Sequence, residues 1–190
     1  MPTLKSHRNI MKFFIGIVPP LATKERIINF QKTFPSNKVP YFNEPHITLK
    51  APTGLTGDKS WLAKVIALAG DYPRFQINIK GIDSFDNRVL FLNPIFSENL
   101  MNLHLKLVDL LCPTIEASNK FYEGAVYHPH ITLGETTWGG MTEFELDIMR
   151  KKAETEFYTI PPFLVTSLRL YQKGDSEEVY SKLLDIPLKI

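Results

Sequence analysis

Along the chain, apolar and polar positions switch between helical and strand periods, and the switches recur in the same order twice. Residues 11–18 are a β-rich run stopped by Pro19-Pro20, since proline can neither donate to a ladder nor adapt its φ. Helical spacing follows over 21–34, with Ile27, Ile28 and Phe30 as the apolar stripe. Next comes the short alternating segment Pro45-His46-Ile47-Thr48-Leu49-Lys50. Asp58 is placed to cap a helix carrying Trp61, Leu62, Val65, Ile66 and Leu68, closed by Gly70. Two strand-like runs, 74–82 and 88–93, are joined by a turn at Asp86-Asn87.

The order then repeats. Ser97 can cap a helix through Leu100, Leu103, Leu107, Leu110 and Leu111, which Pro113 ends. Pro129-His130-Ile131-Thr132-Leu133 follows. Thr142 and Glu145 form a capping-box pattern ahead of a helix with Phe144, Ile148 and Met149. Two strands, 163–173 and 178–188, close the chain through Gly174-Asp175-Ser176. Helix, His strand, helix, strand, strand thus occurs twice after one leading strand. That pattern predicts an α+β fold: a duplicated, bilobal unit with two antiparallel-type sheets around a central cleft and helices outside. Two copies make a duplication, not a stacked solenoid. The expected organisation is one intertwined domain over 11–190, with repeat units at about 20–95 and 97–190.

Pro-His-Ile-Thr-Leu stands at 45–49 and again at 129–133, at the same place in each repeat. Side chains alternate between the faces of a strand. His46 and Thr48 therefore point one way and Ile47 and Leu49 the other; His130 and Thr132 likewise oppose Ile131 and Leu133. The apolar pairs explain the packing and leave a His and a Thr on each non-core face. Should the lobes face each other, two imidazoles and two hydroxyls converge. Phosphodiester cleavage needs a base for the attacking oxygen and an acid for the leaving oxygen, and histidine supplies either near neutral pH. Threonine hydroxyls can donate to the non-bridging oxygens. The alternative is a recurring strand signature that only packs well.

Composition narrows the class. The 190 residues are 44% hydrophobic and 22% charged, the balance of a globular protein rather than a disordered one. A formal charge of +2 provides no global basic field for duplex nucleic acid, but suits a small anion met by a few placed cations. The single cysteine, Cys112, excludes an internal disulfide and a multi-cysteine zinc site. In its leucine-rich setting it reads as a buried, inert thiol. No apolar run reaches the length of a membrane span. Lys5, His7, Arg8 and Lys12 ahead of 13–18 have the form of a short signal peptide. The brevity of that run, the two prolines and Lys24, Glu25 and Arg26 favour a first strand entering a helix instead. A cytoplasmic protein is expected, with residues 1–10 a leader and Met11 an alternative start.

The two His-x-Thr motifs, each on a strand of a duplicated α+β unit, resemble the two-histidine phosphoesterase superfamily over essentially residues 11–190. Within it the chain is most similar to the 2′,5′ RNA ligase-like and 2′,3′-cyclic phosphodiesterase branch. The resemblance implies motifs lining a central cleft, with His46 protonating the leaving ribose oxygen and His130 activating water. It implies a nucleotide or RNA-end substrate; the two-histidine arrangement itself requires no metal, and no cofactor, no membrane, no stable protein partner and a monomer are expected. Many cyclic phosphodiesterase members carry an Arg shortly after the second motif, where this chain has Gly134-Glu135-Thr136. An acidic residue there disfavours a long polyanionic RNA.

Other substrate-binding candidates come from the flanking strands. With Leu164, Leu168 and Leu170 inward, Arg169, Tyr171 and Lys173 face the cleft or solvent, where a cation and a phenol serve a phosphate. Phe75, Ile77 and Ile79 inward leave Gln76, Asn78 and Lys80 outward as weaker candidates. Lys12 and Phe14 share a face of the leading strand, either meeting a nucleotide or, for Phe14, packing in the core. His128 and His130 lack the Cys/Asp/Glu neighbours of a metal cluster, and His104 and His7 read as structural or surface residues. Trp138-Gly139-Gly140 forms either a base-stacking flap or an ordinary turn. Three other functions share these residues: 2′,5′ ligation of RNA ends, a binding module without turnover, and an enzyme acting on a sugar or metabolite.

Overall fold

The computed structural model describes residues 11–190; the expected leader, with His7, lies outside the described residues. Strand β1 (Lys12–Ile17), helix α1 (Leu21–Lys32) and the single-turn α2 (Val39–Phe42) lead to β2 (Ile47–Lys50), which carries the first motif. Helix α3 (Leu62–Asp71) and strands β3 (Phe75–Ile77), β4 (Ile79–Phe85) and β5 (Val89–Pro94) complete the first half. The second half runs α4 (Glu98–Leu111), α5 (Ile115–Lys120), β6 (Ile131–Glu135) with the second motif, α6 (Glu143–Glu156), β7 (Phe163–Val165), β8 (Ser167–Lys173) and β9 (Ser181–Pro187).

Two helix starts follow the sequence signals. Ser97 Oγ accepts the Leu100 N–H at 3.3 Å, and Thr142 with Glu145 closes a reciprocal capping box. Asp58 does not cap α3. Its carboxylate instead takes the Thr56 hydroxyl and the Ser60 N–H in a local turn, and the helix begins at Leu62. Cys112 also departs from expectation. It is exposed and sits in the left-handed conformation (φ 40°) just past the buried stripe Leu100, Leu103, Leu107 and Leu111. A residue beyond the last apolar turn, and ahead of Pro113, no longer faces the core.

The runs expected as single strands, 74–82 and 163–173, are each broken, at Asn78 and at Thr166. Upstream of the breaks, β3 and β7 pair with each other as a two-stranded ribbon, Gln76 opposite Leu164. Downstream, β8 enters a four-stranded sheet of order β2-β1-β8-β9, and β4 enters a three-stranded sheet of order β4-β5-β6. The break moves Leu164 off the core face, so it is 55% exposed while Leu168 and Leu170 are fully buried. Every strand pair is antiparallel. Each motif strand lies in a sheet completed by the opposite half: β2 with β8 and β9, β6 with β4 and β5. One hydrophobic cluster, including Ile15, Ile47, Leu49, Leu92, Leu103, Ile131, Leu133, Met149 and Leu168, runs beneath both sheets.

Candidate active site

The two motifs build the same local geometry twice. Proline biases its predecessor away from the helical region, which leaves Glu44 and His128 in irregular backbone just before β2 and β6. From there the Glu44 carbonyl lies 2.7 Å from His46 Nδ1, and the His128 carbonyl 2.8 Å from His130 Nδ1. A carbonyl only accepts, so Nδ1 carries the proton in each neutral ring and Nε2 keeps a free lone pair. One residue on, Ile47 and Ile131 are fully buried, as are Leu49 and Leu133. The strand alternation therefore turns Thr48 and Thr132 the same way as the histidines, where both are half-buried.

His46, Thr48, His130 and Thr132 all line one cavity of about 880 Å³. Its walls add Phe14 and Tyr180, Ser84, Phe85, Asp86 and Arg88 from the β4–β5 hairpin, residues 121–123 and 126–128, and Trp138. The structure thus brings together the four residues singled out from the repeated pentapeptide.

The two imidazoles differ in surroundings. Burial lowers the pKa of both. For His46 the Glu44 carbonyl and the negative Glu44 carboxylate oppose that fall. His130 has its own carbonyl but no carboxylate; instead His46 and His128, when charged, push it lower still. The Glu44 carboxylate is itself fixed. Burial raises its pKa, but bonds from Lys24 (2.8 Å), Arg169 (2.6 Å) and Tyr171 (2.9 Å) outweigh burial and leave it below the usual carboxylate range.

The flanking candidates take up positions behind or beside the cavity. Arg169 is clamped between Glu44 and Asp185 and does not line the cavity. Tyr171 is 2% exposed, stacked 4.3 Å from Phe14. Phe14 is both core and wall: it is 5% exposed, with its ring 4.9 Å from that of His46. Lys12 pairs with Asp175 at 3.2 Å and Lys173 sits over the Tyr180 ring at 4.9 Å; neither lines the cavity. Gln76 on β3, Asn78 at the break and Lys80 on β4 are all exposed. Glu135 is buried, its carboxylate accepting the N–H groups of Trp138 and Gly139. Its charge is spent inside that turn and not presented to a substrate, contrary to the expectation drawn from sequence. His128 and His130 pack edge-on against Phe85, and the described residues contain no cluster of three metal-ligating side chains. His104 is buried and structural, as expected.

Several lining residues carried no sequence signal. Tyr180, Arg88 and Phe85 arrive through hairpin geometry that no spacing encodes. Glu44 had one: it stands in Glu-Pro-His just as His128 stands in His-Pro-His.

A family profile of the 2′-5′ RNA ligase superfamily matches residues 19–177. No curated protein sequence matches the chain significantly. Among solved structures, Escherichia coli LigT complexed with phosphate aligns over 96% of this chain and 99% of its own, at 20% identity and TM-score 0.61. LigT complexed with 3′-AMP gives TM-score 0.58 at 20% identity over 95% and 99%. TT0787 of Thermus thermophilus gives 0.63 at 18% identity over 94% and 98%. These likenesses establish the same fold. None of the described helices is long and apolar enough to cross a membrane. With the profile spanning most of its length, the chain belongs to the 2′-5′ RNA ligase superfamily of two-histidine phosphoesterases.

Proposed function

We propose that the protein hydrolyses a 2′,3′-cyclic phosphate or a 2′,5′ phosphodiester of a nucleotide or RNA end by two-histidine acid–base catalysis that requires no metal. The observation that carries this reading is the pair of half-buried imidazoles in one cavity, each with Nδ1 tied to the carbonyl two residues back. Both present Nε2 to whatever binds there. The phosphate and 3′-AMP found on LigT are ligands of the size this cavity holds.

The asymmetry around the rings favours one division of roles. Glu44 favours the proton on His46, and the neighbouring imidazoles disfavour one on His130. Neutral His130 takes a proton from water through Nε2 as the water oxygen attacks phosphorus. The bond from phosphorus to the ribose oxygen breaks, and protonated His46 delivers its Nε2 proton to that oxygen. The products are a phosphomonoester and a free hydroxyl, and proton exchange with solvent resets both rings. Thr48 and Thr132 donate to the non-bridging oxygens, where negative charge builds. Microscopic reversibility lets the same groups join a cyclic end to a hydroxyl acceptor.

The test is hydrolysis of the four nucleoside 2′,3′-cyclic phosphates in EDTA by wild type, His46→Ala and His130→Ala. Turnover that persists in EDTA, is bell-shaped in pH and falls at least about a hundredfold in each variant is expected. Equal turnover in all three proteins would sink the assignment.

A further inference from the structure

The segment joining α5 to β6 holds an arrangement the acid–base chemistry does not use. Phe121, Tyr122 and Val126 are 44%, 71% and 62% exposed, and all three line the cavity that contains the histidines. Exposed rings on a short connection ordinarily go with a loose backbone. Here the backbone is fastened repeatedly to β2 and its continuation. Glu123, next to Tyr122, has a side chain only 2% exposed and lies 2.7 Å from Lys50 Nζ, which is fully buried. The same carboxylate accepts the Ala51 N–H at 3.0 Å and the Thr53 hydroxyl. Gly124 N–H donates to His104 Nε2 at 2.8 Å, while His104 Nδ1 donates to the Leu49 carbonyl at 2.8 Å. Tyr127 stacks on His104 with ring centres 3.8 Å apart and donates to the Thr48 carbonyl at 2.7 Å.

Tyr122 also holds a φ of 52°, a left-handed conformation that a bulky residue rarely adopts and that persists only when its surroundings impose it. The N–H groups of Tyr122 and Glu123 donate to the carbonyls of Asn119 and Ser118 and keep the bend closed. A strained, immobilised backbone therefore displays two aromatic rings to water on the wall of the cavity, fastened to the strand that carries Thr48. Arg88 is the only Lys or Arg among the described residues lining the cavity. Charge alone gives a substrate little beyond its reacting phosphate, whereas a flat ring gives it a π-face.

We propose that Phe121 and Tyr122 form a stacking platform for the nucleobase of the substrate, with the Lys50–Glu123 pair holding the platform at a set distance from the first motif. The ligand class is thus a base-bearing cyclic phosphate rather than any small phosphodiester. The inference rests on the hydrolytic reading above and deepens it.

The experiment compares kcat/KM for adenosine 2′,3′-cyclic phosphate with that for glycerol 1,2-cyclic phosphate, which has the same five-membered ring and no base. Wild type, Tyr122→Phe and Tyr122→Asn are measured; asparagine tolerates the left-handed backbone and removes the ring. Calorimetric binding of adenosine 3′-monophosphate to each is measured alongside. The expected result is an adenosine-over-glycerol ratio that falls between about 5- and 150-fold in Tyr122→Asn, the span of stacking losses on ring removal. Most of that fall should reside in KM, and Tyr122→Phe should keep the wild-type ratio. A Tyr122→Asn ratio equal to wild type, with the protein folded, overturns the platform. Absence of turnover on both substrates by wild type defeats the hydrolytic reading, and the platform is then decided by the nucleotide: weaker binding to Tyr122→Asn sustains it, and equal binding overturns it.

Discussion

Removing Glu123 tests how firmly the wall of the cavity is joined to the first motif. Its carboxylate stands 2.7 Å from the ammonium of Lys50, and their side chains are 2% and 0% exposed. In Glu123→Ala the ammonium stays buried with three neutral acceptors, the Ala51 and Thr53 carbonyls and the Thr53 hydroxyl. The Ala51 N–H loses its acceptor at 3.0 Å. Breaking a buried pair from one side costs about 3–5 kcal/mol, and that range already includes the partners left behind. The three remaining acceptors place this case near the lower end, about 3 kcal/mol. For a chain of this size that corresponds to a drop in Tm of about 6–12 °C. Replacing both partners with neutral groups of similar volume removes the orphaned charge, so Lys50→Met/Glu123→Gln should recover at least half of the loss. Urea unfolding at constant m-value measures each variant. A single-variant cost below about 1 kcal/mol, or a double variant no better than the sum of the singles, would refute the account of a buried pair clamping this segment.

Glu44→Gln removes the negative charge that favours the proton on His46 and leaves Lys24 and Arg169 beside it. The His46 pKa should fall further, and the acid must be protonated to act. The alkaline limb of the pH–rate profile therefore moves to lower pH, while the limb set by His130 moves less; a profile displaced equally on both limbs, or not at all, would count against Glu44 acting through His46. Gly139→Ala would set a Cβ 2.5 Å from the Glu135 carbonyl oxygen and 2.8 Å from its Cγ. A backbone carbonyl in a strand cannot yield, so a loss of about 1–3 kcal/mol is expected, with a shift in tryptophan fluorescence as Trp138 moves; unchanged stability and emission would contradict the packed turn.

Much of the site was legible because it is written in a strand period. The buried Ile47 and Leu49 and the cavity-facing His46 and Thr48 follow from alternation alone, as they do for Ile131, Leu133, His130 and Thr132. The helix caps at Ser97 and Thr142 are equally local. What escaped depends on partners far along the chain. Nothing near Arg169 indicates that Glu44 and Asp185 will hold it. The breaks at Asn78 and Thr166 arise where a strand leaves one partner for another, a tertiary event with no composition of its own. Lys50 illustrates the limit best: a lysine ending an alternating strand reads as solvated, and only an acid from the other half of the chain makes its burial tolerable.

The exchange of strands between the halves has a consequence for how the protein is made. The first motif histidine, His46, is translated before the second motif, but the sheet that flanks it is closed by β8 and β9, which follow that motif in the chain. A nascent chain therefore carries both signature pentapeptides well before it can own a finished pocket. Such long-range pairing makes assembly slow. It also ties competence to completeness: a message cut short between the second motif and the final hairpin yields a polypeptide with both histidine–threonine pairs and no place to use them.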